Sequence, residues 1–174
     1  AKKVVTTIDA SMVIDEMGFS IIRTPVGDNY VSEELKKSGD FGGEPSGSWV
    51  FPDSSLCPDG IYAAARLAAI AGRQRLSELV DSIPHYPLLR GSVVFEGKVT
   101  SWLEKQLLSM EPLSVSNVDG IKLNFEDGWL LIRASGTEPK IRVTAEAKSE
   151  ERVRQLYDSC IGKIKESMQG SKEE

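Results

Sequence analysis

The chain has 174 residues, 40% of them hydrophobic and 27% charged, and 21 lysines and arginines against 26 aspartates and glutamates leave a formal charge of −5. That length makes one large domain or two small ones, the composition excludes a disordered chain, and the acidic balance excludes a nucleic-acid binder that works by bulk positive charge. No run of about 18 apolar residues occurs, so no membrane span is expected, and Ala1-Lys2-Lys3-Val4-Val5 lacks the apolar segment of a secretion signal.

In chain order, the β-branched run Val4 to Ile8 predicts a buried strand. Ser11 to Met17 reads as a short helix stopped by Gly18, and Phe19 to Arg23 as a second strand. Thr24-Pro25-Val26-Gly27-Asp28 follows as a loop. Ser32 is expected to cap a helix with Glu33 and Glu34 in its first turn, Lys36 and Lys37 in its last and Gly39 beyond, a charge order that suits the helix dipole. Between Phe41 and Pro52, Gly42-Gly43-Glu44-Pro45-Ser46-Gly47-Ser48 reads as a flexible polar loop. Pro58 suits the first turn of an alanine-rich helix from Asp59 to Ala71, which Gly72 ends. Leu76 to Ile83 adds one more helix before Pro84. Strands alternating with helices make this half α/β.

The second half has another rhythm. Gly91 to Phe95 predicts a strand and Val99 to Ser109 a helix. Strands follow over Leu113 to Asn117, Ile121 to Phe125, Trp129 to Ala134 and Ile141 to Ala147, with Asp119-Gly120 and Glu126-Asp127-Gly128 as turns. Ser149 is placed as the cap of a final helix, in which Val153, Leu156, Tyr157, Cys160, Ile161 and Ile164 repeat at helical spacing. From Gly170 onward the chain is expected to fray. This order predicts an antiparallel α+β domain, with the boundary near Pro84 to Pro87.

Few residues carry obvious chemistry. Cys57 and Cys160 make no disulfide framework, which points to a reducing cytoplasm. Cys160 reads as core; Cys57 has no basic neighbour to activate it. The one histidine, His85, sits between prolines as a linker residue and cannot build a histidine metal site.

Three loops stand out. In Arg133-Ala134-Ser135-Gly136-Thr137-Glu138-Pro139 a strand delivers an arginine to a small-residue loop with two hydroxyls. Gly136 lets backbone N–H groups turn toward one anion, Ser135 and Thr137 add O–H donors, Arg133 adds a charged fork, and Arg142 lies just beyond. The same residues also fit a plain hairpin with a Ser-Gly turn. In Gly43-Glu44-Pro45-Ser46 a carboxylate and a hydroxyl can meet adjacent sugar hydroxyls, although a solvated turn fits too. Gly27-Asp28 shows no catalytic spacing of its own.

Taken together and in this order, the three loops resemble the α-D-phosphohexomutase superfamily, which includes phosphoglucomutase, phosphomannomutase and phosphoglucosamine mutase. The stretch from Asp119 to Val143 resembles the phosphate-binding loop of the family's fourth domain. Gly43 to Gly47 resembles the sugar-recognition loop of its third domain, Thr24 to Asp28 an earlier loop of that domain, and Asp59 to Ala64 the helix after the sugar loop. Ser48 stands where many members have histidine, and Gly136 where some have asparagine. The family's phosphorylated serine loop and its Asp-Gly-Asp-x-Asp-Arg magnesium loop do not occur in these residues.

The resemblance implies most of domain three over 1–84, an incomplete mixed sheet with helices, then domain four over 85–169, a four-stranded antiparallel sheet with helices on one face, and a flexible tail over 170–174. It implies a part of an enzyme that interconverts hexose or hexosamine 1-phosphate and 6-phosphate through a phosphoserine and a bisphosphate. Glu44, Ser46 and Gly43 would bind sugar hydroxyls. Arg133, Ser135, Gly136, Thr137 and Arg142 would bind phosphate, and Gly27 and Asp28 would belong to an active-site loop. Magnesium would be held by an absent domain and not by this chain, whose partners would be a phosphosugar and the missing N-terminal domains. The loop Glu44-Pro45-Ser46 leans toward the phosphoglucosamine or phosphomannose enzymes. The alternative is a stand-alone module that binds phosphosugars or anions without catalysis.

Overall fold

The computed structural model describes residues 2–94, 101–135 and 138–170. It divides into two compact units, Ala1–His85 and Tyr86–Glu174. Among the described residues, no helix is long and apolar enough to cross a membrane.

The first unit runs β1 (Lys3–Thr7), α1 (Val13–Glu16), β2 (Ser20–Thr24), α2 (Asp28–Lys37), β3 (Phe41–Gly43), β4 (Trp49–Val50), α3 (Gly60–Ala71) and α4 (Leu76–Asp81). Its sheet has the order β2-β1-β3-β4. Strand β1 is parallel to both β2 and β3, and β4 is antiparallel to β3. Parallel neighbours need crossover connections, and α1 and α2 lie on those two paths. Val5, Val31, Leu35 and Val50 form the core, with Ile22 and Leu56 against it. Helix α2 comes in close because β3 carries Gly42, where a Cβ would lie 2.6 Å from both Leu35 Cδ1 and Val31 Cγ1.

Three expectations are corrected here. Helix α2 begins at Asp28 with Gly27 at its N-cap, so Ser32 is an interior residue and not the cap. Gly27 at φ 140° makes the chain reversal that an L side chain rarely adopts, so the helix starts as soon as that turn is complete. The glycine-rich segment after Phe41 is a hairpin rather than a flexible loop. Strands β3 and β4 pair across it, Glu44 N–H donates to Ser48 O at 3.0 Å, and Gly47 N–H donates to Glu44 O at 3.0 Å. Pro58 falls two residues before the first residue of α3, outside its first turn, and the cap is Asp59 accepting from Tyr62 N–H at 2.8 Å.

The second unit runs β5 (Leu88–Val94), α5 (Ser101–Leu108), β6 (Ser114–Ser116), β7 (Ile121–Phe125), β8 (Gly128–Ala134), β9 (Lys140–Ala147) and α6 (Glu150–Gly170). The sheet order is β5-β9-β8-β7-β6, antiparallel throughout. It has five strands rather than the expected four, because β5 returns to pair along β9 and extends the set that follows α5. Both helices pack on one face. Leu103 and Leu107 of α5 join Val153, Leu156, Cys160 and Ile164 of α6 over Leu123, Leu130, Ile132 and Val143 of the sheet. Burial in this core pushes the Cys160 thiol up to about 12. Helix α6 includes Gly170, so the expected tail does not begin there; residues 171–174 lie outside the described residues.

The face away from the helices holds a buried polar set. Trp129 Nε1–H donates to Glu146 Oε2 at 2.7 Å, and Lys122 Nζ lies 4.2 Å from the Trp129 ring centroid. Lys122 is 4% exposed and Glu146 2%. Charges this buried persist only when paired and hydrogen-bonded.

Candidate functional site

In the first unit, β1, β2 and β3 are parallel, so their C-terminal ends open at one edge of the sheet. In open α/β sheets that edge is where ligands bind. Gly27 follows β2, and Glu44 follows β3 directly. The structure joins them: Gly27 N–H donates to Glu44 Oε1 at 2.8 Å. Gly27 also opens α2, so the carboxylate sits at a helix N-terminus, where negative charge is favoured. A Cβ on Gly27 would lie 2.6 Å from Asn29 Oδ1 and 3.1 Å from Tyr30 Cδ2.

Glu44 is half-buried, with its second oxygen, Oε2, 3.4 Å from the exposed Ser46 hydroxyl. That leaves Oε2 and Ser46 Oγ as an acceptor and donor pair at the surface. Gly43 is buried beneath them. Its carbonyl accepts from Thr6 Oγ1 at 2.8 Å, and its lack of a side chain admits Trp49, whose Cδ1 would lie 2.9 Å from a Cβ there. Asp28 is exposed in the first turn of α2.

Thr6 and Asp9 belong to the same edge and were not singled out from the sequence. Asp9 accepts from Thr7 Oγ1 at 2.6 Å just beyond β1. The available signal was topological: a strand paired in parallel on both sides must end beside both neighbours. A mostly apolar hollow of about 450 Å³ also lies in this unit, lined by Val4, Ile14, Phe19, Phe41 and Phe51, with Lys2, Asp40 and Arg66 also lining it.

In the second unit, Arg133 lies near the end of β8 and Ser135 directly after it. Arg133 and Arg142 are register partners across β8 and β9, so their side chains share the face opposite the helices. Lys140, which the sequence reading did not select, is on that face too. Arg133 Nη2 meets Asp119 Oδ2 at 2.8 Å. Glu138 takes Lys140 Nζ at 2.9 Å and Arg142 Nη2 at 3.9 Å. The hairpin is closed by Ser135 N–H donating to Lys140 O at 2.8 Å.

Two donors at this place are left open. Arg133 Nε and Ser135 Oγ are both buried without a hydrogen-bond partner among the described residues. A buried donor without an acceptor is costly, which marks a place for a ligand or water oxygen. Arg23 Nε is in the same condition, with its Nη atoms held on Asp15 at 2.9 and 2.8 Å; what sets Arg133 apart is a second unpartnered group two residues on, Ser135 Oγ. The expected phosphate ligands Gly136 and Thr137 lie outside the described residues. Among the described residues, no three His, Cys, Asp or Glu side chains converge to hold a metal ion.

A two-unit chain with a mixed α/β sheet, an antiparallel α+β sheet and an arginine-serine turn agrees with what comparison finds. Residues 1–86 match the family model described as phosphoglucomutase/phosphomannomutase, alpha/beta/alpha domain III, and residues 89–162 match that of the C-terminal domain. The chain belongs to the phosphoglucomutase/phosphomannomutase family and carries that family's domain III and C-terminal domain.

Among its relatives, the probable phosphoglucosamine mutase of Methanosarcina barkeri is 45% identical over 95% of this chain. The phosphoglucosamine mutase of Methanocaldococcus jannaschii is 43% identical over 96%. The chain spans 39% and 40% of those proteins' lengths. Its fold matches a phosphoglucomutase/phosphomannomutase family protein of Burkholderia thailandensis with TM-score 0.81, at 22% identity, covering 97% of this chain and 38% of that one. It also matches the Aspergillus fumigatus N-acetylphosphoglucosamine mutase, solved with GlcNAc-6P and magnesium, with TM-score 0.68 at 17% identity, covering 93% of this chain and 38% of that one.

Proposed function

We propose that this chain supplies the sugar and phosphate clamps of a phosphohexomutase acting on a hexosamine phosphate. Residues 1–84 hold the sugar hydroxyls and residues 85–169 the phosphate. The observation that carries the reading is the pair of buried open donors, Arg133 Nε and Ser135 Oγ, at the end of β8. Phosphate oxygens can accept from both groups, and an arginine beside a hydroxyl suits a dianion. Arg142, Gly136 and Thr137 complete that clamp.

In the reaction, a phosphoserine elsewhere in the polypeptide gives its phosphoryl group to the free hydroxyl of a hexosamine monophosphate. The resulting bisphosphate returns its other phosphoryl group to the serine, which leaves the isomeric monophosphate. The sugar must therefore be held in two orientations, while the phosphate that is not reacting occupies one fixed clamp. Glu44 Oε2 and Ser46 Oγ suit this, since a carboxylate oxygen and a hydroxyl accept and donate to vicinal hydroxyls whichever end of the sugar is presented. Gly43 and the Gly27-Asp28 turn frame that contact. Energy from binding the remote phosphate helps position the reacting centre.

The phosphoglucosamine mutase relatives favour a hexosamine as the sugar. The serine and magnesium motifs do not occur in these residues, so the chain alone is expected to bind without turning over. Calorimetric titration tests this. The chain should bind glucosamine 6-phosphate at about 1 mM, equivalent to about 4 kcal/mol, and should not register glucosamine at the same concentrations. Arg133→Ala should weaken the phosphosugar at least about tenfold, the loss of one charge-assisted contact. Equal binding of glucosamine, or unchanged affinity in Arg133→Ala, overturns the reading.

A further inference from the structure

We propose that Asp119 and Gly120 are positioning residues for the phosphate clamp, fixing the Arg133 guanidinium so that its Nε–H stays open to a phosphate oxygen. The inference rests on the phosphate reading of Arg133 and adds the device that orients it. Strand β7 pairs with β8 so that Ile121 stands opposite Ile132. The turn just before β7 is thereby laid against the residue just after Ile132. Asp119 Oδ2 meets Arg133 Nη2 at 2.8 Å, with both side chains only about a quarter exposed (24% and 27%).

Gly120, at φ +79°, fits the turn against the base of the same side chain. A Cβ there would collide with the Ile132 carbonyl oxygen and lie 2.8 Å from Arg133 Cγ. The turn thus holds Arg133 at its tip through Asp119, while the missing side chain at Gly120 leaves room for its stem. An arginine held at its tip has lost torsional freedom before the ligand arrives, so the ligand need not freeze it. Asp119 takes Nη2, while Nε and the neighbouring Ser135 Oγ remain buried and open.

The carboxylate also repels an incoming dianion, so the two possible roles have opposite signs. If orientation dominates, removing Asp119 weakens phosphate binding. If repulsion dominates, removing it tightens binding. Asp119→Asn keeps an oxygen that can accept from Nη2 and discards the charge; Asp119→Ala discards both.

The experiment titrates inorganic phosphate into the native chain and into the Asp119→Ala, Asp119→Asn and Arg133→Ala variants, and follows the Arg133 Nε–H signal in ¹H–¹⁵N spectra. Asp119→Ala should bind phosphate about tenfold more weakly, while Asp119→Asn stays within about threefold of native. The Nε–H signal should be resolved in the native and Asn forms and averaged away in the Ala form. Binding by Asp119→Ala that equals or exceeds the native, or an unchanged Nε–H signal, overturns the positioning role. If Arg133→Ala still binds like the native chain, the phosphate reading itself fails, and this inference fails with it. If Arg133→Ala loses binding while Asp119→Ala keeps it, only the positioning role fails.

Discussion

Glu44 makes two contacts with one carboxylate. Oε1 accepts from Gly27 N–H at 2.8 Å, and Oε2 lies 3.4 Å from Ser46 Oγ. The first contact fixes the group; the second leaves an oxygen at the surface. Glu44→Gln keeps the shape but turns one surface acceptor into a donor and removes the charge. It should weaken glucosamine 6-phosphate about tenfold and leave inorganic phosphate unchanged, read by competition between the two ligands. Equal losses for both ligands would place Glu44 outside the sugar contact. Glu44, Arg133 and Ser135 could be singled out as candidates in the sequence because each sits in a segment whose neighbours limit what it can do. Asp119 was not legible as the partner of Arg133. Its contact depends on the β7–β8 register, which no local pattern states. The helix start at Gly27 was missed for a related reason: Ser32 has the side chain of a cap, whereas the observed cap works by backbone conformation.

At the scale of elements, the best-defined pattern became the best-packed helix. Val153, Leu156, Cys160 and Ile164 of α6 are all buried on the five-stranded sheet. Leu156→Ala should cost about 2–5 kcal/mol, read as a lower urea midpoint at unchanged slope. A cost well under 1 kcal/mol would mean that α6 is not part of this core. Strands β7, β8 and β9 were legible as apolar or alternating runs separated by turn residues. The shortest elements were not. Strand β3 has three residues, two of them glycine, and β4 has two, so neither carries a pattern, and only their pairing defines them. The fifth strand of the second sheet was likewise a matter of pairing, since β5 precedes α5 in sequence and joins β9 from the far end of the unit.

Across the whole chain, two units with separate cores carry two kinds of contact: a carboxylate and hydroxyl in one, an arginine and hydroxyl in the other. Family membership was legible because three loops occurred together in a fixed order, each ambiguous alone. The choice of sugar was not legible, because stereochemistry at a hydroxyl is read by contacts of a few tenths of an ångström that residue types do not encode. The proposed reading gives each unit its own part of a phosphosugar, the hydroxyls to the first and the phosphate to the second. The most direct test is a titration of the chain with glucosamine 6-phosphate followed residue by residue in ¹H–¹⁵N spectra. The expected result is saturable shifts at Gly27, Glu44 and Ser46 in the first unit and at Arg133 and Ser135 in the second. Shifts that leave Arg133 and Ser135 unmoved, or that fall on residues away from both loops, would contradict it.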